Sequence, residues 1–178
     1  MEPVTSEVLH MFFQRLSERY PGRGEFYLLG GSALCLLGNP RETLDVDYAV
    51  EPAPGAPAEP FRTALAEVAA ELRLDLEEVP LAEFVPLPAQ ARERRRMVGR
   101  FGQIEIYIFD LYSIALSKIA RGFESDLEDV VFMLHEGLIE FGDLEHYFTE
   151  VLPEASKVGI ILGEFRDYFE EVRRRIER

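Results

Sequence analysis

The chain has 178 residues, 47% of them hydrophobic, and a formal charge of −14. It is long enough to bury a sizeable core as one domain with small additions, and too acidic to coat a phosphate backbone, which is held by cationic neutralisation. One cysteine (Cys35) excludes an internal disulfide; with no apolar run near 18 residues and an acidic start, "MEPVTSEVLHMFF", a reducing, cytoplasmic setting without a membrane span is expected.

A first helix is expected from about Thr5 to Tyr20, with Val8, Leu9, Phe12, Phe13 and Leu16 on one stripe. "YPGRGE" ends it. "FYLL" is a short strand running into Gly30-Gly31, and "SALCLLG" a short helix opened by Ser32 and stopped by Gly38. From Thr43 to Val50 the residues alternate. Leu44, Val46, Tyr48 and Val50 share one face, and Thr43, Asp45, Asp47 and Ala49 the other, as in a half-buried strand. "EPAPGAPAEP" (51–60) is a linker too proline-rich for regular structure. Next come a helix over 61–72, a short strand at "LDLEEVP", and a hairpin at "MVGRFGQIEIYIF" turning at Gly99–Gly102.

Asp110 caps a helix over 111–121, and Ser125 opens another running to about Ile139. The tail from Pro153 to Arg178 has Val158, Ile161, Leu162, Phe165, Phe169, Val172 and Ile176 at helical spacing. Charge is polarised: "RERRRMVGR" holds five arginines, while residues 122–156 hold ten acids and no Lys or Arg. The arginines read as a landing site for an acidic acceptor, as holders of phosphate groups, or as a solvated face. The order αβαβαββ(β) followed by helices predicts the α/β (α+β) class, a small mixed sheet flanked by helices with further C-terminal helices. A main domain over 1–142 is expected, with 143–178 as a helical extension packed on it.

Asp45 and Asp47 project from the same strand face, about 7 Å apart at the backbone, and can converge on one or two divalent cations. With 33 acids in the chain, about six acid-x-acid pairs arise by chance. The pair alone does not separate a metal site from two solvated acids. Gly30-Gly31-Ser32 adds a strand-to-helix turn whose free amides, close backbone approach and hydroxyl suit an anion; its other reading is a tight turn with Ser32 as N-cap.

Gly31-Ser32, a short helix, then Asp45-x-Asp47 resembles the nucleotidyltransferase signature of the polymerase β superfamily. The longer pattern "GGSALxLLGxxRxTxDVD" is similar to the minimal bacterial families around the AbiEii toxin. A second match lies at "DLYSIALSKIARGFESDLEDVVFML", where AbiEii-like proteins carry a helix with a Lys, a break, and a helix beginning Asp-x-x-Asp; Lys118, Asp126 and Asp129 fit it. The resemblance implies a nucleotidyltransferase fold in which Asp45 and Asp47 bind Mg²⁺, two ions included. Gly30, Gly31 and Ser32 would hold the triphosphate of an NTP, Lys118 offset its charge, and Asp129 support the site. It implies transfer of an NMP to a hydroxyl of an acceptor, tRNA or protein, with an antitoxin-like partner protein.

The superfamily's third carboxylate, acting as general base, is sought at Glu105, with Asp110 at the end of the same strand. Glu105 reads equally as a solvent-facing residue of a hairpin. Lys118 falls within the stripe Leu111, Ile114, Ala115 and Ile119, where a lysine either snorkels or meets a cleft needing a cation. Ser125–Glu128 forms a capping box, and Asp129 lies opposite the stripe Leu127, Val130, Val131, Leu134 and Leu138, away from the expected core. The rival expectation is a catalytically inactive descendant that binds nucleotide or protein.

Overall fold

The computed structural model describes residues 2–178. The chain folds as two compact units: the residues up to Pro80 with Arg96–Ile108, and Leu81–Arg95 with Phe109–Arg178. The first unit holds α1 (Ser6–Arg19), β1 (Gly24–Leu28), α2 (Gly31–Leu36), β2 (Asp45–Pro52), α3 (Glu59–Leu72), β3 (Asp75–Glu78), β4 (Arg96–Phe101) and β5 (Ile104–Ile108). Thr5 caps α1 by accepting a hydrogen bond from Val8 N at 3.1 Å.

The five strands form one mixed sheet in the order β3-β2-β1-β5-β4. β1 runs antiparallel to β2 and parallel to β5; β2 and β3, joined through α3, run parallel. Alternation along the strands gives the sheet one apolar face, with Phe26, Leu28, Val46, Ile104 and Ile106 all buried. Phe12 and Phe13 of α1 pack edge-on against Phe26, at 6.1 and 5.3 Å between ring centroids, and Tyr48 stacks on it at 5.2 Å. Tyr20 stacks on Phe61 of α3 at 4.5 Å. Each such side chain stabilises the fold by about 1.5–3 kcal/mol. The other face of β2 and its neighbours carries Asp45, Asp47, Glu25 and Glu105.

Some boundaries differ from the sequence reading. β2 starts at Asp45 and continues through Pro52, because Pro52 sits at the strand's end opposite Gly24. The hairpin turns at Gly102, whose φ is +59°, and not at Gly99, which lies inside β4 just after a register shift.

The second unit is helical: α4 (Leu81–Phe84), a 3-10 turn (Arg92–Arg94), α5 (Leu111–Arg121), α6 (Glu124–His135), α7 (Phe141–Ala155) and α8 (Leu162–Ile176). The tail is two helices, with Pro153 inside α7 and Gly159, at φ +83°, breaking the chain before α8. Phe148 joins them, its ring 4.1 Å from Phe169 and 4.7 Å from Phe165. As expected, Asp110 caps α5, accepting from Tyr112 N and Ser113 N at 3.2 Å. Arg94 of the arginine cluster is bound to both oxygens of Asp110 at 2.9 Å and lies over the Tyr147 ring at 4.3 Å, so its role is anchorage. No described helix is long and apolar enough to cross a membrane. The architecture is α/β, a mixed sheet with flanking and C-terminal helices, as the sequence implied.

Candidate active site

The period of two along β2 puts Asp45 and Asp47 on one face. β3 then lies parallel beside β2 with Glu77 in register with Asp47, so a third carboxylate joins that face. One oxygen from each of Asp45, Asp47 and Glu77 lies within 4.8 Å of the others, and none of the three residues is buried. Carboxylates this close repel each other, and a donor set made only of oxygens suits a hard divalent cation.

The pair is held from behind. Thr43, buried to 8% exposure, donates its hydroxyl hydrogen bond toward Asp45, 3.2 Å from Oδ1. Leu29 N donates to the backbone oxygen of Asp47 at 3.0 Å and so ties the end of β1 to β2. Directly after it, the two glycines leave room for these side chains. A Cβ on Gly30 would collide with the carboxylate of Asp47, and one on Gly31 would lie 3.1 Å from the Thr43 hydroxyl and 3.6 Å from Arg41 Nη2. The glycines are there for space, since neither has a left-handed backbone.

Ser32 does not cap α2. The N-cap is Gly30, which makes no side-chain cap bond, and Ser32 lies inside the first turn. It is completely buried and its Oγ has no hydrogen-bond partner. An unpaired buried hydroxyl costs about 1–3 kcal/mol, and here it stands next to the turn that Asp47 overhangs. Oxygen ligands, an unpaired hydroxyl and a glycine cradle together fit a metal ion carrying a phosphate chain.

The structure does not bring Glu105 to the Asp pair. Glu105 of β5 stands in register with Glu25 of β1, and Glu25 with Glu51 of β2. Asp47 is four residues before Glu51, about 13 Å along the strand. Glu105 accepts from the Tyr107 hydroxyl at 2.7 Å, faces Arg100 at 3.6 Å, and lines a separate cavity of about 470 Å³ with Glu25 and Glu51. The carboxylate that does converge, Glu77, was missed in the sequence. The signal was present in part: Asp75–Glu78 is a short acidic strand joined to β2 through one helix, a connection long enough for parallel pairing, which sets its alternating acids beside Asp45 and Asp47.

In the second unit, Lys118 is 4% exposed and donates to Asp129 Oδ2 at 2.7 Å, with Asp126 Oδ1 at 3.6 Å. Arg121 grips Asp126 through bonds of 2.8 and 2.6 Å. Both aspartates are 1% exposed, so the expectation that Asp129 faces away from the core is corrected. The inward face of α6 is Asp126, Leu127, Asp129, Val130 and Met133, turned from the predicted stripe because α6 packs against α5 and α8. Nor does Ser125 open α6, whose N-cap is Phe123.

The mixed sheet, with paired aspartates on its second strand and a glycine turn ahead of them, is consistent with a nucleotidyltransferase fold. The family model described as "Nucleotidyltransferase of unknown function (DUF6036)" matches residues 7–173. The chain belongs to that family. No curated protein and no solved structure matches it.

Proposed function

We propose that this protein is a Mg²⁺-dependent nucleotidyltransferase that moves an NMP from an NTP to a hydroxyl of a macromolecular acceptor, RNA or protein. The observation that carries the reading is the convergence of Asp45, Asp47 and Glu77 within 4.8 Å beside the Gly30–Gly31 turn. The acceptor oxygen would form a bond to the α-phosphorus, the α–β phosphoanhydride bond would break, and pyrophosphate would leave. Asp45, Asp47 and Glu77 are the residues that would hold the metal. Bound there, it would neutralise charge developing on the phosphoryl oxygens. Gly31 and Ser32 would take the β/γ-phosphates, the unpaired Ser32 hydroxyl supplying a donor. Glu77, the member not held by Thr43 or overhanging the turn, is the candidate to receive the acceptor's hydroxyl proton.

The pattern around Arg41, Thr43 and Asp47, with Lys118, Asp126 and Asp129 downstream, supports kinship with AbiEii-like enzymes, and with it a tRNA acceptor and an antitoxin-like partner as the first to try. The test is incubation with each labelled NTP and Mg²⁺ against total tRNA and against lysate protein. Label should pass to one acceptor class with release of pyrophosphate, and Asp45→Asn/Asp47→Asn should abolish it. Transfer undiminished in that double variant would overturn the reading.

A further inference from the structure

We propose that Arg41 is the residue that grips the phosphate chain and makes the site prefer triphosphates to monophosphates; this rests on the nucleotide reading of the site. Three carboxylates converge on one patch, and a phosphate chain brought to it adds further negative charge. A cation from the protein is needed beside any bound metal. Lys118, expected in that role, is buried among carboxylates: two positive groups, Lys118 and Arg121, face two negative ones, Asp126 and Asp129. Turning its ammonium to a ligand would strip a buried carboxylate of its partner.

Arg41 is placed differently. It is only half-buried, and its guanidinium reaches the glycine turn, with Nη2 3.6 Å from where a Gly31 side chain would begin. The loop that carries it is fixed at both ends: Arg41 N donates to Asn39 Oδ1 at 3.2 Å, and Thr43 O accepts from Val4 N at 2.8 Å. Its head group and the Thr43 hydroxyl both border the space beside Gly31, the residue before Ser32 with its unpaired hydroxyl. A planar guanidinium offers paired donors matched to phosphate oxygens, which a lone ammonium or a six-residue helix does not. An arginine on the phosphate chain, and not on the base, discriminates by phosphate number.

The test is calorimetric titration of inorganic tripolyphosphate, of the four NTPs and of the matching NMPs, with Mg²⁺, into the wild type, Arg41→Ala and Arg41→Lys. Arg41→Ala should weaken tripolyphosphate and NTP binding by about 10- to 100-fold, leave NMP affinity unchanged, and be partly rescued by Arg41→Lys. Tripolyphosphate affinity within about twofold of wild type, or an equal loss for NMP and NTP, would overturn the assignment. If Arg41→Ala does not fold, Arg41→Gln keeps the three-carbon stem and a polar end without the charge, and is held to the same outcomes. A wild-type chain that binds none of these probes would overturn the nucleotide reading itself, and Arg41's role with it.

Discussion

The carboxylate of Asp47 occupies the space that a side chain on Gly30 would need: a Cβ there would lie 3.0 Å from Asp47 Cγ and closer still to Oδ2. The glycine and the aspartate thus form one fitted unit, although 17 positions separate them in the chain.

Gly30→Ala should therefore act through Asp47. The carboxylate must leave its rotamer, at a cost of about 0.5–1.5 kcal/mol, and the three-carboxylate cluster should open. Folding should survive while Mg²⁺-dependent thermal stabilisation disappears. Gly31→Ala, whose nearest neighbour is the Thr43 hydroxyl at 3.1 Å, should be milder. Denaturant midpoints with and without Mg²⁺ separate the two.

Glu77→Gln and Glu105→Gln should diverge. The first removes a carboxylate from the cluster and should lower Mn²⁺ or Mg²⁺ affinity on the order of tenfold. The second changes a residue about 13 Å along the sheet and should leave metal affinity as it was. Equal effects in a metal titration would remove Glu77 from its proposed place.

Lys118→Met should lower stability by about 3–5 kcal/mol, because it leaves buried carboxylates without their cation. Adding Asp129→Leu should restore part of that loss, since the stranded charge goes with it. Urea unfolding of both variants reads the coupling. A single variant as stable as wild type would mean the pair carries nothing structural.

Alkaline pH should weaken the fold through Tyr48. Burial, and then the Glu78 carboxylate, push its phenol up from 10.0 to about 12. Between these values the unfolded chain has lost the proton that the native state keeps, so stability is full below pH 10 and falls as pH rises toward 12. Tyr48→Phe keeps the stack on Phe26 and should flatten that fall. Unfolding midpoints from pH 9 to 12 provide the comparison.

The half of the site set by local order was legible in the sequence. Asp45 and Asp47 alternate on a strand, the glycines precede a short helix, and Asp110 caps α5; each depends on neighbours within a few residues. What was not legible depends on packing between distant segments. Glu77 belongs to the site only because β3 pairs parallel with β2. Asp129 is buried only because α6 presents to α5 a face that its apolar residues do not mark. Ser32 looked like a cap because serine before an apolar run usually is one; Gly30 ended up in that position instead.

The order of segments also limits how this chain can be taken apart. Residues 81–95 leave the sheet-bearing unit and the β4–β5 hairpin returns to it before the last helices begin. The backbone therefore passes between the two units three times, and no single cut yields an intact half. A truncation after the hairpin would strand the Leu81–Arg95 segment without Asp110 and Tyr147, the groups that hold Arg94. To obtain the carboxylate-bearing half alone, that segment must be excised and Pro80 rejoined to Arg96 by a designed connector.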